Sequence, residues 1–204
     1  MSKVRTKTAT VGPWTLTTER IVIAGVLAAI TMILGYVPNI GFIPIPTIAG
    51  HATIEHIPTI LGGIVAGPVV GLISGLIFGI VSLTNPLGAA IFKDPLISVL
   101  PRIFIGLVAW GTFNGLTRLG SNRDVAAAVA GFAGAATNTV LVLTMIILRV
   151  HVSFIALVVP IVPQAIIEAI LAAILTVLLV RVFFILEARL VRAPDTKPRE
   201  ELPY

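Results

Sequence analysis

The chain of 204 residues contains no cysteine. Disulfides and thiolate metal sites are therefore excluded, and no redox compartment can be read from it. Charge is nearly as scarce. Asp, Glu, Lys and Arg together make up 11% of the residues, against roughly 25% in a soluble domain. No GxxxxGK[ST] loop is present, so any ATP hydrolysis would have to come from partners. No HExxH or HxxEH run is present to set two imidazoles on one metal. A cleavable signal is not expected: the first apolar run, from Ile21, lacks a clear small-residue cleavage site. What fills the chain instead is oil, at 57% hydrophobic residues and a mean hydropathy of +1.07. Long apolar runs of this kind point to a bilayer and to one integral membrane domain. The net charge of +5 is then a topology signal and no sign of a nucleic-acid partner.

Six hydrophobic segments can be drawn, so the expected fold class is an all-α integral membrane bundle of six transmembrane helices. They run Ile21–Val37, about Thr53–Ala66, Pro68–Leu83, about Ile97–Leu116, Val125–Leu148 and about Ile155–Leu186. A straight span needs roughly 20 residues, with ~17 as the lower limit. The second and third segments fall short and are joined only by Gly67 and Pro68. They read either as one re-entrant hairpin or as two short spans. Two short spans are preferred, since glycine-rich helices pack closely and an even count puts both termini on one side. The expected division is an N-terminal tail over 1–18, a membrane domain over 19–190 and a C-terminal tail over 191–204, both tails reading as unstructured by composition.

Charge sets the orientation. With the N-terminus inside, eleven of the fourteen Lys and Arg residues fall on the cytoplasmic side, and only Lys93, Arg102 and Arg149 stay outside. That asymmetry places both termini in the cytoplasm of a multi-pass cell-membrane protein. Two outer connections, Pro38–Ala52 and Asn85–Pro95, are long and punctuated by proline and glycine. Long connections with rigid punctuation tend to carry function.

Several polar groups stand out against this background. Arg102 follows Pro101 at the outer start of the fourth segment. An arginine at membrane depth costs about 2.5–3.5 kcal/mol on insertion scales, so it snorkels to the interface, pairs, or faces a wet cavity. A guanidinium in a cavity can clamp a carboxylate or phosphate through two hydrogen bonds. Glu168 lies in the sixth segment with Gln164 one turn earlier on the same face, and Asn138 lies in mid-segment five. These serve either as hydrogen bonds between helices, Glu168 with Arg102 among them, or as the lining of one outward-facing cavity. At residues 49–58, AGHATIEHIP places His51, Glu55 and His56 at the lip of the second segment. If that stretch is helical, His51 and Glu55 share a face with His56 beside it. The readings are a helix start with Glu55 near the positive end of the dipole, a metal site, or the polar mouth of a pocket. The HxxxEH order fits no zinc motif, and no metal is expected.

Small residues form two further patterns. Gly67, Gly71, Gly75 and Gly79 recur every four residues, and Ala24 and Ala28 do the same in segment one, beside Gly25 and Ala29. Such stripes let helices approach closely and gain dispersion contacts, the main association force in lipid. The glycines read as internal packing. Ala24 and Ala28 read as internal packing or as a docking face for another subunit. The GLISG run around Ser74 has the look of an intramembrane serine protease's nucleophile, but no histidine in a later span can act as its base.

The run HATIEHIPTILGGIVAGPVVGLISGLIFGIVSLTNP, followed by DPLISVLPRIFIGLVAW, resembles the substrate-binding S components of energy-coupling factor (ECF) vitamin transporters. It is most similar to the pantothenate-type branch, through Ala52, Thr53, His56, Ile57 and Pro58, then Gly67, Pro68 and Gly71, then Leu100, Pro101 and Arg102. The resemblance spans about Arg20 to Glu187 and is specific for the S-component family. It implies six helices, cytoplasmic termini and a vitamin pocket near the outer face. It also implies that Ala24 and Ala28 contact a transmembrane coupling subunit, and that two cytoplasmic ATPases supply the ATP-driven work. No cofactor is expected in this chain and no catalysis. The ligand site would comprise His51, Glu55, His56, Arg102, Asn138, Gln164 and Glu168, with Arg102 on the carboxylate of pantothenate. The alternatives on the same scaffold are hydroxymethylpyrimidine, folate, cobalamin or a queuosine precursor. Outside it stands a non-transporting membrane scaffold.

Overall fold

The computed structural model describes residues 12–38, 40–44, 51–86 and 88–191. The first helix, α1 (Thr18–Tyr36), starts at Thr17, whose hydroxyl accepts from Arg20 N at 3.3 Å. The Arg20 guanidinium also gathers the carbonyls of Gly12, Pro13 and Thr15, folding the preceding turn onto the helix. That turn carries Trp14, which meets Trp110 edge-on at 5.8 Å.

Beyond α1 comes a short antiparallel hairpin where sequence reading expects only a loop. Strands β1 (Phe42–Pro44) and β2 (His51–Thr53) pair Phe42 with Thr53, Ile43 with Ala52 and Pro44 with His51. Three-residue strands are too short for alternation to reveal them. Two apolar helices follow, α2 (Ile57–Ala66) and α3 (Pro68–Thr84), joined by Gly67 at φ +98°. That backbone conformation suits glycine, and it lets one helix end and the next begin within a single residue. Gly67 thus links the two helices, and Gly71, Gly75 and Gly79 are the members of the stripe that meet α5 and the residue before it.

The fourth hydrophobic segment is broken. A 3₁₀ turn (Ala90–Lys93) leads into α4 (Pro95–Ser98), and after Val99 the chain continues as α5 (Leu100–Arg118). Then come α6 (Arg123–Val150) and α7 (Phe154–Val191). Among the described residues four stretches are long and apolar enough to cross a membrane: Thr18–Tyr36, Pro95–Arg118, Arg123–Val150 and Phe154–Arg189. The protein is therefore a multi-pass membrane protein with an all-α bundle. At ~1.5 Å per residue, the ten residues of α2 cover about 15 Å, half the ~30 Å hydrocarbon core.

The shortness of α2 has a compensation in burial. Ile57, Ile60 and Ile64 sit in the central cluster with Ile105 and Ala109 of α5, Ala126 and Ala130 of α6, and Ala169 and Ala172 of α7. A helix apolar all round belongs in such a position. Helix α3 closes on α5 through glycine. A Cβ on Gly75 would stand 2.3 Å from Arg102 O, and one on Gly106 would stand 2.5 Å from Gly71 Cα. Gly79 meets Val99, and Gly63 of α2 meets Gly106 in the same way. The close approach of α3 to α5 sets where Arg102 emerges.

Candidate functional site

A cavity of about 620 Å³ opens between the turn after β2, α3, the 3₁₀ turn, α5, α6 and α7. Its polar lining includes Glu55, Arg102, Asn138, Gln164 and Glu168, brought together from four separate parts of the chain. Leu157, Ile161, Gln164 and Glu168 lie along one face of α7, and Asn138, Val142 and Ile146 along one face of α6. The cavity therefore has a polar part and an apolar wall.

Helix geometry explains Arg102. In an unbroken helix the carbonyl of Ile97 would accept from the N–H of residue 101, but Pro101 has none. The Arg102 guanidinium fills that position, its Nη1 donating to Ile97 O. The rings of Phe78 and Phe92 hold the same group, with Cζ at 5.6 and 5.2 Å from their centroids. Arg102 is buried, and its Nε has no hydrogen-bond partner among the described residues. Glu55 lines the same cavity as Arg102.

Glu168 ties a strand to a helix. Its Oε1 accepts from Thr53 N at 2.9 Å and from Gln164 Nε2 at 2.9 Å. Neither donor is Arg102, the partner that sequence reading weighs for it. The bond from Gln164 orients that amide, since a carboxylate oxygen takes the NH₂ end and leaves Oε1 over. Gln164 Oε1, Asn138 Oδ1 and Glu55 Oε1 are buried oxygens without a hydrogen-bond partner among the described residues.

The histidines of the opening stretch come out differently. His51 lies in β2 and its side chain is outside the described residues. Glu55 lies in the turn before α2, so the two do not share a helical face as a continuous helix would require. His56 occupies the N-cap position of α2 without capping it. Its ring is almost wholly buried, neither nitrogen has a partner among the described residues, and it does not line the cavity. Among the described residues no group of three His, Asp or Glu side chains is placed to hold a metal.

The cavity edge holds residues that sequence reading passes over. Asn85 Nδ2 donates to Gly35 O at 2.9 Å, tying the end of α3 to α1. Lys93 Nζ donates to Asn85 O at 2.5 Å and to Leu83 O at 3.2 Å. Asp94 caps α4 through Leu96 N and pairs with Arg149 at 2.8 Å, joining α4 to the end of α6. The Arg149 hydrogen bond, helped by that from Leu96, holds the Asp94 carboxyl below the usual range. Phe78 and Phe92 are missed because a lone phenylalanine in an apolar run carries no signal until the fold places a cation over it.

Ala24 and Ala28 turn inward. Ala24 packs with Leu27, Ala66 and Val70, and Ala28 is buried on the same side of α1. In this packing α2 and α3 lie against that side of α1. Gly25 and Ala29, one residue on, lie on the exposed side, and nothing stands within 4 Å of a Cβ placed on Gly25.

Comparison with known proteins bears on the same region. The family described as ECF transporter, substrate-specific component, matches residues 19–180. No curated protein matches the sequence. Among solved structures, the S-component for biotin from an ECF-type ABC transporter superposes with a TM-score of 0.57 at 19% identity, covering 82% of this chain and 95% of that one. At that identity the likeness is one of fold.

Proposed function

The chain belongs to the substrate-specific components of ECF transporters, and from that premise we propose that it captures a small vitamin or vitamin precursor in the cavity bounded by Glu55, Arg102, Asn138, Gln164 and Glu168. The protein is a non-catalytic transport subunit. One observation carries the assignment of the site: a single cavity of about 620 Å³ gathers these five polar residues inside an otherwise apolar bundle. Its size lies within the ~300–1,000 Å³ of small-molecule pockets and speaks against a ligand as large as cobalamin.

Pantothenate, which the sequence resemblance favours, is one ligand of the right size. Its carboxylate would draw on the other N–H groups of Arg102, since Nη1 donates to Ile97 O and Nε has no partner among the described residues. A biotin-like ligand is the second reading, since the fold superposes on that of a biotin S-component. The scaffold alternative would leave the cavity without a ligand.

In the proposed transporter, six helical segments cross or enter the membrane with both termini cytoplasmic, and the cavity faces outward. A transmembrane coupling subunit and two ATPases complete it, the ATP being used by those partners. The coupling subunit would meet α1 on its exposed small residues, Gly25 and Ala29, with Ala24 and Ala28 seating that helix on α2 and α3.

Native mass spectrometry of the full chain purified in detergent tests the site. A small molecule should remain bound to the natural protein and be lost or held more weakly in Ile161→Trp, whose indole intrudes on the cavity. A bound molecule retained as firmly by the folded variant would place the ligand elsewhere, and no ligand in either would favour the scaffold.

A further inference from the structure

The two sides of the bundle have different heights. Helix α1 runs from Arg20 to Tyr36 in about 24 Å at ~1.5 Å per residue, and the 17 residues of α3 span about the same. The two are tied at both ends: Asn85 Nδ2 donates to Gly35 O at 2.9 Å, and Gly67 lies against Pro13 O beside Arg20. Helix α6 needs about 39 Å from Arg123 to Arg149. A hydrocarbon core is ~30 Å thick, so one side is too short for it and the other too long.

Contacts between neighbouring helices locate the difference. At the hairpin end the helices finish together, since Lys93 donates to the Asn85 carbonyl and Asp94 pairs with Arg149. At the other end they do not. Gly71 packs on Gly106, and Ile105 on Gly134, so the start of α3 stands level with Trp110 on α5 and Val129 on α6. Trp14, in the turn before α1, meets Trp110 there at 5.8 Å. Beyond that level α5 continues to Arg118, about 12 Å further, and α6 reaches back to Arg123, about 9 Å further. Gly111 and Gly115, on this stretch of α5, have nothing within 4 Å of an added Cβ. The molecule thus carries a step, with Trp14, Arg20 and Gly67 as its floor and the ends of α5, α6 and α7 as an overhang.

The overhang suits hydrocarbon. Val125, Val129, Leu178 and Val182 are exposed on it, and two of its arginines are matched, Arg181 by Asp124 and Arg123 by the Phe184 ring. The floor suits an interface. Trp14 is 56% exposed, and tryptophan favours the headgroup level. The sequence leading into Gly12 holds Lys3, Arg5 and Lys7 and no carboxylate, a charge complementary to phosphate. Tilting the whole molecule shortens both sides together and leaves the step in place. We propose that the bilayer is thinned along the α1–α3 side: phospholipid headgroups are drawn into the step as far as Trp14 and the Arg20 turn, while hydrocarbon still covers the overhang of α6 and α7. Mismatch of this kind is met by deforming the lipid when the helices are packed too tightly to give way. This reading is independent of what the cavity holds.

Depth-dependent quenching tests it. The full chain is reconstituted alone in vesicles of dioleoyl phosphatidylcholine and dioleoyl phosphatidylglycerol that carry a nitroxide either on the headgroup or midway along the acyl chain. Trp14 and Trp110 are the only tryptophans of the chain, so the natural protein reports the floor of the step directly. Their emission should be quenched several-fold more by the headgroup nitroxide than by the acyl-chain one. A bimane label on Val129→Cys, level with Trp110 on the far side of the bundle, should show the opposite order. The same label on Leu178→Cys, at a lipid-facing position of α7, is a second reporter for that side and should agree with it. Residues at one level of the protein would then lie at two depths of the bilayer, which no flat bilayer allows. Tryptophans quenched mainly by the acyl-chain nitroxide would mean that hydrocarbon fills the step. Either bimane quenched mainly by the headgroup nitroxide would mean that the overhang stands clear of the hydrocarbon. Each of these results would overturn the thinning.

Discussion

Replacing Pro101 by alanine returns an N–H to the chain at the point where Arg102 now satisfies Ile97. That substitution and Arg102→Ala should therefore be coupled. Arg102→Ala alone leaves a buried carbonyl without its donor and a gap between Phe78 and Phe92, and should cost about 2–4 kcal/mol. With Pro101→Ala in the background the cost should fall by ~1 kcal/mol or more, since the backbone then supplies the donor. Denaturant unfolding of the four proteins in detergent measures the cycle, and strict additivity would refute the capping role. Asp94 behaves differently because it is exposed. Its carboxyl is held low by Arg149, so the stabilisation it lends is present above the ordinary carboxylate pKa and disappears as pH falls through the lowered value. The tie between α4 and α6 should accordingly be unaffected between pH 6 and 8, a window chosen well above ~4. Asp94→Asn should keep the cap on Leu96 while losing the ion pair. Hydrogen exchange at residues 96–99 would then change little, while Asp94→Ala would raise it.

Among elements, the α3–α5 contact is the most exacting. Its glycines allow backbone to touch backbone, and an added methyl has no flexible side chain to displace. Gly75→Ala and Gly106→Ala should each destabilise by about 1–3 kcal/mol through overpacking and shift the start of α5, where Arg102 sits. Gly111→Ala and Gly115→Ala, on the open side of the same helix with nothing within 4 Å, serve as controls. They should be neutral or stabilising by up to ~1 kcal/mol, as alanine outranks glycine in a helix. Thermal unfolding of the four variants distinguishes the two faces, and equal effects would mean that α3 does not pack as described. The break at Val99 is likewise an element-scale feature: it turns one hydrophobic segment into two helices and points Arg102 back at Ile97.

For the whole molecule, the open question is the way it sits in the membrane. The basic residues Arg118, Arg123 and Arg181 gather at one end of the bundle, where Arg181 pairs with Asp124 at 2.5 Å. The hairpin, Asp94 and Arg149 gather at the other. Because the chain has no cysteine, single-cysteine variants report orientation cleanly. Ser121→Cys, between α5 and α6, should react with a membrane-impermeant maleimide only after cells are opened. Ser153→Cys, before α7, should react in intact cells. The reverse pattern would turn the proposed outward cavity to the cytoplasm.

The membrane class, the long apolar helices and the polar candidates of the cavity were legible without coordinates. An arginine, a glutamate or an amide inside an apolar run has a high transfer cost, so each marks itself along the chain. What one dimension could not carry were relations among distant residues. The bond from Thr53 N to Glu168 spans 115 positions, and the two rings on Arg102 come from α3 and the 3₁₀ turn. The inward turn of Ala24 and Ala28 depends on which face of α1 meets α2, which a four-residue spacing leaves open. His56 advertised itself as strongly as Arg102, yet the packing buried its ring outside the cavity. Local chemistry decided which groups need a special environment. Only the tertiary packing decided which of them share one.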